Sequence, residues 1–214
     1  MIPVILGTAA AGILLIEKLD QSIEPSAETK AGVLAAGLAG SGLLQWILGP
    51  GESFSRLLLA LLMGCLLLAC VTDVAINQVH NFVWWIGGAS SAVLLWEHLW
   101  MTGSIQHGVG MLFGLAIFWM VQLGLFGRLY GKADCYAFCV CAIAETGLGM
   151  GLTWVVVQMA FAFSLLVPVQ FIRKNITLGG NLKKPVPFLP YITAAFYLIL
   201  VFAKICGEIV VPLS

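Results

Sequence analysis

Residues 56–72 read RLLLALLMGCLLLACVT, and this run decides the fold because it carries no charge after its first residue. A helix needs about 20 apolar residues to cross the hydrocarbon core of a bilayer, within a range of about 17 to 25. A run of this length therefore predicts a membrane-spanning helix. Asp73 follows the run directly, so the sequence predicts a carboxylate at the end of that helix.

The same length rule divides the whole chain into eight candidate apolar runs. They lie at residues 2–16, 31–48, 56–72, 82–101, 108–127, 135–150, 151–172 and 188–206. The composition agrees, because 61% of the 214 residues are hydrophobic and 9% are charged, whereas a typical soluble domain carries about 25% charged residues. We therefore predict an all-α fold, a polytopic integral membrane bundle with the lipid bilayer around it.

The charge balance and the cysteines argue against two classes of partner. The formal net charge is zero and the ten Lys and Arg residues are spread over short loops, whereas nucleic-acid-binding proteins carry basic patches or stripes. The six cysteines lie within or beside apolar runs and form no Cys-x-x-Cys pair. That pattern is typical of small buried side chains rather than of a metal site or a disulfide framework. We predict no nucleic-acid partner and no bound metal.

The basic residues also predict an orientation, because short loops rich in Lys and Arg stay in the cytoplasm. Alternating the eight runs across the membrane puts eight basic residues on one side: Lys18, Lys30, Arg128, Lys132, Arg173, Lys174, Lys183 and Lys184. The other side has only Arg56 and Lys204. Asp73 and Asp134 both fall on the basic side, so we predict a multi-pass protein of the plasma (inner) membrane with these two aspartates facing the cytoplasm.

These two acids allow two interpretations. Asp134 stands in Gly131-Lys-Ala-Asp134, directly before an uncharged run, where an aspartate can cap a helix and complement its dipole; Asp73 would then be a loop carboxylate. Alternatively, helix packing brings both carboxyl groups together. Like charges then oppose double ionisation, so that one acid keeps a proton while the other activates water, as in aspartic proteases.

Other polar groups give weaker signals. Glu145 lies within the sixth run, where a charge at a helix centre costs about 2.5 to 3.5 kcal/mol and often has a function; we interpret it as a structural or packing acid near the outer end. His80 is on the predicted cytoplasmic side, whereas His98 and His107 are on the other. None is therefore obviously paired with a serine or cysteine nucleophile.

Three segments carry a resemblance to a known family. The Asp73 segment, Gly131-Lys-Ala-Asp134 and Pro187-Phe-Leu-Pro190 occur in the same order as, and resemble, the motifs of the type IV prepilin peptidases and the archaeal preflagellin peptidases. These are membrane aspartic proteases of the Gly-x-Gly-Asp type. The resemblance implies a six-helix peptidase core within residues 56–214, and residues 1–55 as an N-terminal extension of one or two transmembrane helices.

The resemblance also implies roles for single residues. Asp73 and Asp134 would be the catalytic pair, sharing one proton and one attacking water. The implied supporting or substrate-binding residues are Gly131, Ala133, Asn81, Pro187, Phe188 and Pro190. The chain departs from the family at Ala133, which replaces the second glycine, at His80, which replaces a proline, and at Tyr136, which replaces a lysine. A backbone that needs a positive φ at residue 133 would be strained by alanine.

The implied substrate is the N-terminal leader of a pilin-like precursor, cut between a short basic leader and a hydrophobic helix. No metal or organic cofactor is implied. The zinc-binding cytoplasmic domain of many bacterial members is absent from residues 17–30, which contain no cysteine, so we expect no methyl transfer. Two alternatives stay open: a presenilin-like intramembrane protease, whose Pro-Ala-Leu motif differs from Pro-Phe-Leu-Pro, and a small transporter or catalytically inactive relative.

Overall fold

A computed structural model describes residues 2–19, 27–48, 54–172, 186–207 and 209. Within them it contains eight α-helices: α1 (Ile2–Leu19), α2 (Ala27–Leu48), α3 (Phe54–Ile76), α4 (Asn81–Thr102), α5 (Ile105–Gly124), α6 (Lys132–Gly147), α7 (Leu152–Ile172) and α8 (Leu189–Ile205). A 3-10 turn, Phe126–Arg128, follows α5. The described part of the chain has no β-strand. The all-α prediction is confirmed, and each predicted apolar run corresponds to one helix.

Within the described residues, three stretches of helix are long and apolar enough to cross a membrane. They are Phe54–Ile76, Gly108–Arg128 and Leu152–Ile172. Shorter apolar helical stretches occur in α1, α2 and α8. These lengths and compositions indicate a membrane protein. Eight spans and a cytoplasmic orientation stay predictions, and four of the basic residues used for the orientation, Arg173, Lys174, Lys183 and Lys184, lie outside the described residues.

The leucine-rich helix α3 forms the centre of the bundle. In its most apolar 18-residue window 72% of the residues are buried, against 17% for the α5 stretch and 22% for α7. A helix that is apolar on all sides is covered either by other helices or by lipid, and for α3 other helices provide most of the cover. α3 contacts α1, α2, α4 and α8, and Asp73 lies in its last turn. The central helix therefore carries the first predicted catalytic acid to one end of the bundle.

Both N-terminal helices belong to the same packed core. Ile5 of α1 and Leu44 of α2 are fully buried in one cluster with Leu59 of α3 and Phe196 of α8. The extension predicted at residues 1–55 thus contains two helices, and they pack directly on helices of the predicted peptidase core. The division of the chain at residue 55 stays a prediction.

A close contact between α4 and α6 positions the second predicted acid. A Cβ atom added at Gly147 of α6 would lie 2.7 Å from the backbone nitrogen of Leu95 in α4, closer than real Cβ contacts allow. The absence of a side chain there lets the two helices approach closely. Because α4 also packs on α3, this contact helps to hold α6, with Asp134 in its first turn, within the bundle.

Candidate active site

Asp73 is held by the segment Pro187-Phe-Leu-Pro190. The backbone N–H of Leu189, the first residue of α8, donates a hydrogen bond of 3.2 Å to Oδ2 of Asp73, and the backbone of Phe188 also interacts with this carboxylate. The first N–H groups of a helix have no partner inside the helix and carry its partial positive charge. The N-terminus of α8 therefore provides a natural binding site for a carboxylate.

Asp134 lies in the first turn of α6 and is buried, with 8% of its surface exposed. Gly131 precedes the helix with φ 102° and ψ 151°, a conformation that other residues rarely adopt. A Cβ atom added at Gly131 would lie 3.3 Å from Oδ2 of Asp134. The glycine thus allows the turn itself and leaves room for the carboxylate above it.

Ala133, the departure from the Gly-x-Gly-Asp pattern, carries no backbone strain. It is the second residue of α6 and has helical conformation. Among the described non-glycine residues, only Asn77 has a positive φ. Alanine is the best helix former, so the methyl group at residue 133 suits its place. The glycine that the turn needs is Gly131.

The two aspartates interact electrostatically. Asp134 stands ahead of the apolar run that begins at Cys135, outside the predicted span. Burial, and after it the nearby charge of Asp73, raise the pKa of Asp134 to about 8. Two such carboxyl groups resist being ionised together. At neutral pH the arrangement therefore favours one proton on the pair, with Asp134 holding it.

An aromatic cluster joins the segments that carry the motifs. Phe188 packs against Tyr130, Phe138 and Phe163, with ring centroids 5.7, 5.9 and 5.1 Å away. Tyr130 directly precedes Gly131, Phe138 lies in α6 and Phe163 in α7. Edge-to-face aromatic pairs contribute about 0.5 to 1.5 kcal/mol each beyond their buried area. This cluster holds the Asp134 turn against the segment that binds Asp73.

Hydrogen bonds to Gln122 of α5 fix the same turn from the other side. The hydroxyl of Tyr130 donates to Oε1 of Gln122, and the thiol of Cys135 donates to its backbone oxygen at 3.1 Å. Gln122 is fully buried. Sequence reasoning missed Tyr130, Phe138, Phe163 and Gln122, because an aromatic or amide side chain within or beside an apolar run has no pattern that marks it as support for an acid.

The predicted supporting residues lie in different surroundings in the structure. Phe188 is buried and packs beside Asp73, while Pro187 and Pro190 flank the Phe188–Leu189 pair and are partly buried. Asn81 is the first residue of α4, and its side chain is exposed. Asn81 takes no part in the hydrogen bonds and ring contacts described above, so its supporting role stays a prediction.

Glu145 lies in a different environment near the other end of α6. It is fully buried, and neither carboxyl oxygen has a hydrogen-bond partner in the described part of the protein. The side-chain amide of Gln158 in α7 is equally buried and interacts with the thiol of Cys141, which is also near Glu145. The described residues contain no group of three or more His, Cys, Asp or Glu side chains that could hold a metal ion.

Comparisons with family models, curated proteins and solved structures find no match to this chain. The resemblance to the prepilin peptidases therefore rests on the three motifs and their order in the sequence. The structure adds an independent observation: the three segments that carry these motifs lie together at one end of the helical bundle.

Proposed function

We propose that this protein is a membrane aspartic endopeptidase that removes the leader peptide of type IV pilin-like precursors at the cytoplasmic membrane face. One observation carries the proposal. Two acids that are 61 residues apart in the sequence interact with each other, and the first of them accepts a hydrogen bond from the Pro-Phe-Leu-Pro segment. If Asp73 were only a loop carboxylate and Asp134 only a helix cap, the two side chains would have no reason to lie close together.

The chemistry assigned to the pair follows from its surroundings. The N–H of Leu189 stabilises the ionised form of Asp73, whereas Asp134 holds the shared proton. Asp73 takes a proton from a water molecule whose oxygen attacks the scissile carbonyl carbon, and Asp134 gives its proton to the carbonyl oxygen. When the tetrahedral intermediate collapses and the C–N bond breaks, the proton on Asp73 passes to the leaving amine, and Asp134 takes back a proton from a hydroxyl of the intermediate, which restores the starting state of the pair. This hydrolysis needs neither a metal nor an organic cofactor.

The membrane setting is part of the proposal. The lengths of the apolar helices support a multi-pass protein, and the distribution of basic residues supports a cytoplasmic position for Asp73 and Asp134. A precursor whose basic leader remains in the cytoplasm while its hydrophobic helix lies in the bilayer would present its cleavage site at that level. We propose such precursors, and the lipid bilayer, as the partners of this chain.

One observation favours a second candidate function. Buried acids within membrane helices often serve ion or proton pathways, and Glu145 is fully buried without a hydrogen-bond partner for either carboxyl oxygen in the described part. A small transporter, or an inactive relative of the peptidases, would use this acid rather than the aspartate pair. This candidate predicts that the wild-type protein cleaves no precursor. A presenilin-like protease would instead cut within the apolar helix of its substrate. The size of the cleavage product distinguishes this activity from leader removal.

Leader removal tests the proposed function directly. The chain is expressed with pilin-like precursors from its own host, and the products are identified by mass spectrometry for the wild type, Asp73→Asn and Asp134→Asn. Each substitution keeps the size of the side chain and removes the acid, so we expect the rate to fall by about 10²-fold or more. Glu97→Gln is the matched control, since Glu97 binds Ser55 at the opposite end of α3. Wild-type cleavage rates in either aspartate variant would contradict the proposal.

A further inference from the structure

An apolar groove of about 470 Å³ lies between α2, α3 and α8, and it begins beside Asp73. Val74, the next residue in α3, lines it, and so does Pro190, which follows the residue whose N–H binds Asp73. The volume is within the range of about 300 to 1,000 Å³ that is common for binding pockets. We call this cavity the α2–α3–α8 groove.

The groove runs along the helix axes from the carboxylate into the bundle. Leu67, Val71 and Val74 line it along α3, and Pro190 and Tyr197 mark its extent along α8. Seven residues of helix rise about 10 Å, or two turns. An occupant would therefore have one end at the level of Asp73 and extend about two turns toward the apolar part of the bundle.

Small side chains on α2 keep the groove open. Gly32, Ala36 and Ala39 line this wall at helical spacing, where larger side chains would fill the space. Ala35 is the adjacent residue; it is exposed and does not line the cavity. Helix α2 therefore offers two neighbouring alanines, one inside the groove and one outside it.

The position and the walls of the groove indicate what kind of occupant fits. Tyr197 lines the inner end, but its hydroxyl is buried beside Gly40 of α2 and is not exposed to the groove. The accessible walls are therefore largely apolar. A peptide whose scissile bond lies at Asp73 would pass from the carboxylate directly into this groove, so an apolar segment after the cut fits it.

We infer that the α2–α3–α8 groove binds the apolar peptide segment that follows the cleavage site of the precursor. This inference rests on the proposed function, because it places the scissile bond at Asp73. The residues after the cut would lie along α3 and α8 for about two turns, against the small residues of α2. Helix α2 thus becomes a specificity-determining wall of the site, although it belongs to the segment predicted as an extension.

Filling the groove tests this inference by kinetics. The probe is a test precursor with a short lysine-rich leader and an apolar helix of about 20 residues, which is long enough to span a bilayer. Ala36→Phe is expected to raise KM about tenfold or more, equivalent to about 1.4 kcal/mol of binding, while kcat is kept. Ala35→Phe, the matched control, should leave both constants near the wild-type values. Equal KM values for the two variants would overturn the inference.

Photo-crosslinking separates failure of the groove from failure of the function. A benzophenone is placed in the apolar segment of the test precursor, and its attachment sites on Asp134→Asn protein are mapped by mass spectrometry. We expect attachment to groove residues of α2 and α8, and its loss when Ala36→Phe is added. Attachment elsewhere, with lipid retained in the groove, would overturn the inference. A wild-type protein that binds at the groove but never cleaves would contradict the proposed function only.

Discussion

Two acids in the same helix, Asp134 and Glu145, are both buried but differ in what surrounds them. They are eleven residues apart, about 16 Å along α6. Asp134 has a glycine turn beside it and a second carboxylate within electrostatic range. The oxygens of Glu145 have no hydrogen-bond partner in the described structure. The comparison teaches that burial of an acid does not by itself define a reactive site; the neighbouring groups do.

The largest expected effect is on the pH dependence of the cleavage rate, through the proton on Asp134. The rate of leader removal should fall by about tenfold per pH unit above about pH 8, because Asp134 then loses the proton that it must donate. Rates measured from pH 5 to pH 10 with the wild type check this. A rate that is constant up to pH 10 would contradict the assignment of the proton to Asp134.

The same pKa has a consequence for stability. Folding raises the pKa of Asp134 from 3.8 to about 8, so the folded protein binds the proton more tightly than the unfolded chain does. The stabilisation from this proton is complete below about pH 4 and is lost as the pH rises to about 8. Thermal unfolding of the wild type should show this decline, and Asp134→Asn should remove that part of it. Identical pH dependence in the two proteins would speak against a shifted pKa.

Truncating Phe188 should have the largest effect on stability. Phe188 is buried and connects the Asp73 and Asp134 segments through three ring contacts. Phe188→Ala is expected to lower the free energy of unfolding by about 3 to 5 kcal/mol and to reduce cleavage as well. Phe113→Ala, a change at an exposed position of α5, is the matched control and should have little effect on unfolding in detergent. Similar losses in both variants would show that the cluster has no special role.

Removing the acid at the other end should stabilise the protein. Glu145→Met replaces a carboxyl group that lacks hydrogen-bond partners by an apolar side chain of similar length, which should raise the free energy of unfolding by about 1 to 3 kcal/mol. Cleavage should be unchanged. A clear loss of stability would show that Glu145 has a hydrogen-bond partner in the membrane. Both acids of α6 would then have neighbouring groups that stabilise them.

The smallest effects distinguish the two small residues of the Asp134 turn. Gly131→Ala introduces a side chain at φ 102°, which we expect to cost about 1 to 3 kcal/mol and to reduce cleavage by displacing the carboxylate. Ala133→Gly creates the full Gly-x-Gly-Asp pattern but weakens a helix, at a cost of about 0.5 to 1 kcal/mol, without faster cleavage. Thermal unfolding and cleavage rates measure both. Faster cleavage by the Ala133→Gly variant would show that the alanine impairs the site.

Physical reasons explain which features could be predicted from the sequence. The lengths of the apolar runs predicted the eight helices of the described residues, because a long uncharged run can form few structures other than a helix. Counting Lys and Arg predicted that Asp73 and Asp134 share a membrane face, and the interaction between them agrees with that placement. The condition under which alanine would be strained at residue 133 is not met, since the positive φ belongs to Gly131. A turn preceding a helix does not reveal from its sequence where the helix begins.

The packing between distant segments could not be predicted in this way. The ring contacts of Phe188 with Tyr130 and Phe163 depend on how α6, α7 and α8 pack, and no local pattern specifies that. The α2–α3–α8 groove exists because small residues of α2 face α8, which is more than 140 residues away in the sequence. Apolar runs predict that helices are buried but not which faces meet.

Parallel substitution of the two acids of α6 tests the central claim most directly. Asp134→Asn and Glu145→Gln both exchange a buried carboxyl group for an amide of the same size, in one helix and one protein. We predict that Asp134→Asn lowers the rate of leader removal by about 10²-fold or more, while Glu145→Gln cleaves at close to the wild-type rate. Wild-type cleavage by Asp134→Asn, or loss of cleavage only in Glu145→Gln, would contradict the aspartate pair as the catalytic site.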